Sequence, residues 1–312
     1  MIKGWLLKER LLRFLCEHQN PDGGWGYFPR KQSALEPTAY AAMALQQAFG
    51  REIVFQKALD FIRANQTADG GWPINTTDRA TAVWVSPLVG LAVLTSSGWG
   101  SSCQNAVAFV LKGFGKMPQN WLLHLSEWLG YRNGPNVNTN LGGWAWNPGT
   151  ATWVEPTCYA LLFLKRLPDK MQGEKVSGTI REAEAMVYDR MCNSGGWNYG
   201  NARVLGEELR PYPLTTSLAL IALQEYPSRM ENQKSLAYLK QAIAMEKSAL
   251  SLCFGALGLD IYLQEWQNIL KQLDDLYHET QFMQSIKTTA LALLVLQARE
   301  GRNILRHGSV ET

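Results

Sequence analysis

Two kinds of helical pattern alternate along the chain of 312 residues. In the first kind, apolar residues recur every three or four positions, which is typical of a helix with one face in the core. Segments of this kind are predicted at 3–18, 51–66, 102–114, 178–193, 231–246 and 264–279. Segments of the second kind are apolar nearly all round, as buried helices are, and are predicted at 36–49, 79–95, 154–167, 213–225, 248–262 and 285–299. The pattern therefore predicts six outer, amphipathic helices, each paired with an inner, buried one.

A short turn motif recurs between these helices. Its full form, Gln-x-x-Asp-Gly-Gly-Trp, covers residues 19–25 and 66–72. Shorter copies that keep only Gly-Gly-Trp end at Trp144 and Trp197. A fixed period of this size indicates a repeat architecture. Glycine can take the left-handed backbone that ends a helix, and tryptophan combines a large apolar ring with one N–H donor. Glutamine and aspartate can serve backbone groups left open at helix ends. We assign a structural role in the repeat to Gln19, Asp22, Trp25, Gln66, Asp69, Trp72, Trp144 and Trp197.

The Gln-x-x-Asp-Gly-Gly-Trp motif followed by an apolar helix resembles the repeat of squalene–hopene cyclases and protein prenyltransferase β subunits. The copies cover roughly residues 3–299. The resemblance implies an all-α fold, an (α/α)6 toroid in which six inner helices ring a cavity and six outer helices surround them. In such a ring the first helix packs beside the last.

The chain shows no break in composition and no linker, so we expect one domain over residues 1–312. The stretch at about 115–140 interrupts the repeat, and its pattern predicts an inserted helix and a loop. We interpret it as an insertion over one end of the ring, either a lid or a helix that touches a membrane. Its few basic residues favour a lid or a plain structural insertion over membrane contact.

The charge and cysteine content narrow the class of protein further. The net charge of +3 with 18% charged residues is too balanced to indicate a nucleic-acid partner. No apolar run reaches the roughly 18 residues of a membrane span, and the first ten residues lack the apolar core of a signal peptide. Five scattered cysteines are typical of reduced core residues. We predict a cytoplasmic protein, with peripheral membrane association as an open alternative.

Two inner helices begin with the same sequence, Glu-Pro-Thr-x-Tyr-Ala, at Glu36 and Glu155. In the resembled cyclases that protonate an alkene or epoxide, the acid is the middle aspartate of an Asp-x-Asp-Asp-Thr-Ala motif, which this chain lacks. Alignment on Thr-Ala places Glu36 at that aspartate, and Glu155 matches it in its own repeat. A carboxylic acid kept neutral in an apolar pocket can donate a proton. Alternatively, each glutamate caps its helix as a carboxylate that the helix dipole stabilises.

The sequence does not favour a metal or a cofactor. The resembled prenyltransferases hold zinc with an Asp-x-Cys pair and a histidine, whereas here Glu155 and Cys158 stand without a histidine at the next inner helix. Asp274 and Asp275 loosely resemble a magnesium motif, but they lie on an outer helix, where charge is typical of a solvated face. We predict a protein without a metal and without a cofactor.

Aromatic residues gather in the turns and first turns that lead to inner helices. They are Tyr27, Phe28, Tyr40, Trp84, Trp146, Trp153, Tyr159, Tyr199 and Tyr212. Such rings would line a π-rich pocket suited to isoprenoid chains or carbocations, or they belong to the core at helix junctions. Arg203 and Arg210, from the loop at 198–212, are expected at the opening of this pocket, where they would meet a diphosphate or only water.

Three functions remain open. The resemblance implies an isoprenoid-processing enzyme related to terpene cyclases, with protonation-initiated cyclisation of a polyprenyl substrate or another apolar small molecule. The second function is a carbohydrate-active α/α barrel in which Glu36 and Glu155 form an acid/base pair. The third is a toroid without catalysis that binds a lipid or a protein.

Overall fold

The computed structural model describes residues 2–78, 80–117, 137–204 and 206–308, with side chains from Leu6 onward. The outer helices are α1 Ile2–Glu17, α3 Glu52–Ala64, α5 Ser101–Lys112, α7 Glu174–Asp189, α9 Met230–Ala244 and α11 Gln267–Thr280. The inner helices are α2 Leu35–Leu45, α4 Val85–Ser97, α6 Val154–Leu164, α8 Pro213–Ala222, α10 Ala249–Ile261 and α12 Ile286–Arg299. A small antiparallel hairpin pairs β1 Arg203–Val204 with β2 Glu207–Glu208, and 3-10 turns lie at Asp169–Met171 and Gln281–Gln284.

The inner helices form a closed ring. Each packs against two inner neighbours, in the order α2, α4, α6, α8, α10, α12 and back to α2. Each outer helix packs against an inner one, and the first helix, α1, packs against the last, α12. The inner helices are buried nearly all round, whereas an outer helix such as α3 buries only one face. The predicted toroid of six inner and six outer helices is confirmed.

The inner helices are parallel to one another, so that all of them begin at the same end of the ring. At one end, which we call the mouth, the first residues of α2, α6 and α12 donate their N–H groups to neighbouring loops, and Ile286 N bonds to Tyr27 O at 3.0 Å. We call the other end the far end. Near it, the Gln297 side chain of α12 donates a hydrogen bond of 2.8 Å to Ala44 O, close to the last residue of α2. The far end is covered by residues 300–308, where Asn303 donates to Leu257 O at 3.0 Å. The mouth is therefore the end at which the six inner helices begin.

The four repeat tryptophans share one hydrogen-bond pattern. Each indole N–H donates to a carbonyl ten or more residues earlier; for Trp25 the acceptor is Leu15 O at 2.8 Å, and for Trp72 it is Ile62 O at 2.7 Å. The same bond joins Trp144 to Val110 O and Trp197 to Val187 O. The backbone N–H groups of these tryptophans bond to hydroxyls on the inner helices, namely Thr38, Ser86, Thr157 and Thr216. Each of the four repeat tryptophans thus joins the helix before it to the helix after it.

The polar residues of the motif also serve backbone groups. Gln19 Nε2 donates to Val54 O at 2.8 Å, and Gln66 Nε2 donates to Ser102 O at 2.9 Å, so each turn is tied to the next outer helix. Asp22 accepts from Gly24 N at 3.0 Å. Asp69 accepts from the Thr67 hydroxyl of its own turn at 2.5 Å and from the Thr81 hydroxyl of the following loop at 3.0 Å. These are the contacts of residues that hold turns in place.

One predicted element differs from the structure, and another lies mostly outside the described residues. The helix expected from 79 begins at Val85, because Asn75 Oδ1 accepts from Thr77 N and Asp78 N and thereby closes a turn. Most of the helix and loop expected at 115–140 lies outside the described residues, which leave out 118–136. The prediction of one domain over residues 1–312 stays a prediction. Among the described helices, none combines the length and apolar content that a membrane crossing requires.

Candidate functional site

Glu36 lies buried at the mouth, in the first turn of α2. Both carboxylate oxygens accept hydrogen bonds from side chains: Tyr27 Oη donates to Oε2 at 2.7 Å, and Lys287 Nζ donates to Oε1 at 2.6 Å. The helix N-cap, Ala34, makes no side-chain cap. Both oxygens of Glu36 thus bind side chains of other segments, and the interpretation that the dipole of its own helix stabilises this carboxylate stays a prediction.

Glu155 lies partly buried at the equivalent place on α6, where Tyr159 Oη donates to its Oε1 at 3.2 Å. This is the one hydrogen bond that Glu155 accepts within the described ranges, and the capping interpretation of Glu155 likewise stays a prediction. Burial raises the pKa of the Glu155 carboxyl; the Lys287 charge opposes this rise, and the Glu36 charge adds to it. Within those same ranges, no cation forms an ion pair with Glu155. Burial thus outweighs the Lys287 charge and the Tyr159 hydrogen bond, which both lower the pKa.

Lys287 completes this group, and the sequence analysis missed it. It lies in the first turn of α12, with its side chain 15% exposed. The start of α12, Ile-Lys-Thr-Thr, is equivalent to Leu-Glu-Pro-Thr on α2, since Thr289 bonds to the carbonyl four residues before it as Thr38 does. The sequence did contain a signal for Lys287, because it is a charged residue at the position of a third inner helix that Glu36 and Glu155 occupy in theirs. Glu36, Glu155 and Lys287 are therefore three equivalent positions of the repeat.

Two tyrosines lie one helical turn below the glutamates, towards the centre of the ring. Tyr40 Oη and Tyr159 Oη are 3.1 Å apart, and both side chains are fully buried. Burial raises the pKa of both hydroxyls far above the ordinary value. The Phe254 ring meets Tyr40 edge-on with 6.2 Å between centroids, and Lys287 Nζ lies 5.7 Å from the Tyr40 centroid. The floor below the carboxyl groups is therefore aromatic.

A more open aromatic groove of about 300 Å³ lies beside this group, at the start of α4. Trp84 and Trp146 line it and meet edge-to-face with 5.1 Å between centroids. Asp78 and Thr81 supply polar atoms along the same groove. Trp84 stands at the position of α4 that is equivalent to Glu36 on α2, because Ser86 there replaces Thr38. The groove therefore opens at the mouth.

The remaining predicted residues do not join these groups. Phe28 and Tyr199 are 47% and 48% exposed, so neither is enclosed in a pocket. The rings of Tyr199 and Tyr212 pack together with 5.4 Å between their centroids. Trp153 packs against Gly200, where an added Cβ would lie 3.0 Å from the Trp153 ring. The nine aromatics thus fall into separate clusters, and the expectation that some of them line a substrate pocket stays a prediction.

The two arginines expected at the opening contact their own loop. Arg203 Nε donates to Gly206 O at 2.9 Å inside the hairpin, and Arg210 lies 5.8 Å from the Tyr212 centroid. Both are exposed, so the structure gives them partners but no enclosed anion site. On the outer surface, Asp274, Asp275 and His278 share a groove with Arg10. In the part of the chain that the structure describes, no three His, Cys, Asp or Glu residues are placed to hold a metal ion.

No family model matches the chain. Over 65 residues the chain is 40% identical to a drimenyl diphosphate synthase from Streptantibioticus cattleyicolor. The match covers 21% of this chain and 12% of that relative, so it spans about an eighth of the relative's length.

Solved structures match nearly the whole chain. The type II terpene cyclase MstE from Scytonema superposes with a TM-score of 0.59 at 13% identity, over 96% of this chain and 97% of that one. A novel alpha-amylase from Clostridium perfringens superposes with a TM-score of 0.64 at 11% identity, over 94% and 97% of the two chains. They share the toroid fold. Because a fold at this identity does not fix a reaction, the function has to be argued from the site.

Proposed function

We propose that the protein is an isoprenoid-processing enzyme in which the carboxyl group of Glu155 protonates an alkene and starts cyclisation of a polyprenyl substrate. The observation that carries the proposal is the setting of Glu155 at the mouth, above an aromatic floor of Tyr40, Tyr159 and Phe254. Burial raises the pKa of this carboxyl, so it keeps its proton closer to neutral pH than an exposed glutamate does.

Glu36 is the weaker candidate for the acid. Lys287 and Tyr27 donate to its two oxygens, and a carboxylate that accepts both bonds as an ion-pair partner has no proton to give. Glu155 accepts a single hydrogen bond from Tyr159 within the described ranges, which leaves its second oxygen available to carry the proton. The sequence offered both glutamates, and their partners favour Glu155.

The proposed step balances without a cofactor. The proton of Glu155 moves to one alkene carbon, whose π electrons form the new C–H bond, and the neighbouring carbon becomes a cation. The next double bond attacks that cation and forms a C–C bond. Loss of a proton from the cyclised cation ends the reaction with no net oxidation. Tyr40, Tyr159 and Phe254 are the rings whose π electrons would stabilise such a cation.

The likeness to terpene cyclases supports the choice of substrate class. One structure of MstE is described with geranylgeranyl dihydroxybenzoate as its substrate, and the partial sequence relative is described as a drimenyl diphosphate synthase. Both descriptions concern those proteins. We take from them the polyprenyl chain as the first class of compound to test.

The test compares glutamine variants of three glutamates. The protein is incubated with farnesyl and geranylgeranyl diphosphate, squalene and oxidosqualene, and products are identified by mass spectrometry. We expect Glu155→Gln to lose product formation by about 100-fold or more, as removal of a general acid does. Glu36→Gln should keep turnover at acidic pH. Glu174→Gln, in the exposed first turn of outer helix α7, is the matched control and should equal the unmodified protein. Full turnover by Glu155→Gln would overturn the assignment, and no product from any compound would overturn the proposal.

A carbohydrate-active enzyme is the second candidate, and one observation favours it. Glu36 and Glu155 interact electrostatically at the same mouth, beside the Trp84–Trp146 groove, and the alpha-amylase shares the fold. A pair of carboxyl groups flanking a substrate is the arrangement that glycoside hydrolysis needs. Release of sugar from α-glucans that requires both glutamates would replace the first proposal. Binding of a polyprenyl compound without turnover would favour the non-catalytic toroid.

A further inference from the structure

Three equivalent inner-helix positions bring two carboxyl groups and one ammonium group to the mouth. The Glu36 side chain is 6% exposed and the Lys287 side chain 15% exposed, so both charges are largely withdrawn from water. Lys287 Nζ bonds to Glu36 at 2.6 Å, and no ion pair within the described residues joins it to Glu155. The group therefore holds one positive charge for two acids.

The charge balance of this group decides where a proton resides. With Glu36 and Glu155 both ionised, the group carries a net charge of −1 above the buried Tyr40 and Tyr159. With a proton on one carboxyl, the group is neutral. A net charge in a poorly solvated site is costly, so the neutral state is favoured. Since Lys287 is bonded to Glu36, the proton belongs on Glu155.

We propose that Glu36 is a positioning residue that binds Lys287 and so keeps the proton on Glu155. This inference rests on the proposed function, in which Glu155 is the acid. Without Glu36, the ammonium group would be free to pair with Glu155 and favour its ionised form. Without Lys287, nothing would offset a negative charge, and the protonated form would persist further into the alkaline range.

The groups around Glu155 support this division of roles. Within the described residues, the titratable and charged groups that face it are Lys287 from α12, Glu36 and Tyr40 from α2, and Tyr159 and Cys158 from its own helix. The two phenols and the thiol are neutral near pH 7, because burial raises the pKa of each. Lys287 and Glu36 are thus the two charges that set the balance, and they act on Glu155 in opposite directions.

Two substitutions should move one titration in opposite directions. Glu36→Gln should lower the pH at which Glu155 loses its proton by about one unit, and Lys287→Met should raise it by a similar amount. Lys287→Arg keeps the charge and is the matched control, with little shift expected. A purely structural role would change stability without moving a titration in two directions.

The first measurement does not depend on any substrate. Infrared spectra of each folded variant are recorded from about pH 4 to about pH 9, and the band of the protonated carboxyl that disappears in Glu155→Gln is followed. The second measurement is the pH profile of product formation. Circular dichroism confirms that each variant is folded, and the double variant Glu36→Gln with Lys287→Met tests whether the two effects cancel.

The two measurements separate failure of this inference from failure of the proposed function. Opposite shifts of the carboxyl band, matched by opposite shifts of the turnover profile, would support the inference. Equal titration of Glu155 in Glu36→Gln, Lys287→Met and the unmodified protein would overturn it, even if cyclisation is observed. Opposite shifts of the band without turnover on any polyprenyl compound would support the charge balance and overturn the proposed function.

Discussion

At the scale of single residues, the threonine near the start of an inner helix has a role that its neighbours in sequence do not reveal. The Thr38 Oγ1 accepts from Trp25 N at 2.9 Å and donates to Ala34 O at 2.7 Å. The partner N–H lies 13 residues earlier, in the tryptophan turn. The hydroxyl therefore joins a turn to an inner helix.

Substitution of this threonine tests the role. Thr38→Val keeps the shape but leaves the buried Trp25 N–H without an acceptor, so we expect a loss of about 1–3 kcal/mol in the free energy of unfolding. Thr95→Val is the matched control, because among the described residues the buried Thr95 hydroxyl donates only to carbonyls of its own helix, Leu91 O and Ala92 O. It should cost less than about 0.5 kcal/mol. Urea denaturation measures both, and equal losses would contradict the assigned bond.

The site was partly predictable at this scale. Glu36 and Glu155 were identified because both stand in the same sequence, Glu-Pro-Thr-x-Tyr-Ala. Lys287 was missed because its helix start lacks the glutamate and the proline, although its register is the same. Its bond to Glu36 spans 251 residues of sequence, and only closure of the ring brings the two together. Local sequence patterns could not predict which side chains pair with one another across the ring.

At the scale of elements, the helices were predictable and their first residues less so. Burial on one face or on all faces separates outer from inner helices, and this difference is visible as hydrophobic spacing in the sequence. The start of α4 was misplaced by six residues because the side chain of Asn75 competes for backbone N–H groups. The Gly-Gly pairs were identified as turns. What the sequence could not show is how closely the next outer helix approaches them.

Gly70 illustrates this close approach. It has φ +95°, and a Cβ there would lie 2.4 Å from Asn105 O on α5. Gly70→Ala should therefore cost more than about 3 kcal/mol, because it adds a backbone clash to a left-handed conformation. Gly50 has φ +73° with no atom within 4 Å of its Cβ position, so Gly50→Ala should cost only the backbone term of about 1–2 kcal/mol. Thermal unfolding of the two variants checks the difference, and a Gly70→Ala protein as stable as Gly50→Ala would exclude the clash.

At the scale of the whole molecule, the two ends of the ring differ in charge and in closure. The mouth carries the helix N-termini and the proposed acid. The far end collects helix C-termini, whose carbonyls favour cations, and Lys165 Nζ bonds there to Ala222 O at 2.6 Å. Lys165 also pairs with Glu184 and Glu225, each at 2.7 Å. His307, from the segment that covers this end, contacts Glu225 as well.

This network at the far end makes stability depend on pH. Burial alone would raise the pKa of Glu225, but His307 and Lys165 outweigh it and hold the pKa at about 2, below the ordinary 4.5. A carboxyl whose pKa is lower in the folded state stabilises the fold above its unfolded pKa. That contribution is lost as the pH falls from about 4.5 to about 2. Because the Glu225 side chain is 34% exposed, solvent screening reduces its contribution to the free energy of unfolding to about 2 kcal/mol.

The prediction is a stability difference that narrows in acid. Glu225→Gln should be less stable than the unmodified protein near neutral pH, and the gap should shrink by about 2 kcal/mol between about pH 5 and about pH 2. Glu231→Gln is the matched control, since Glu231 pairs with Arg229 on the surface and should show a small gap at every pH. Urea denaturation at each pH measures both gaps. A gap for Glu225→Gln that stays constant on acidification would show that this carboxylate is not held by Lys165 and His307.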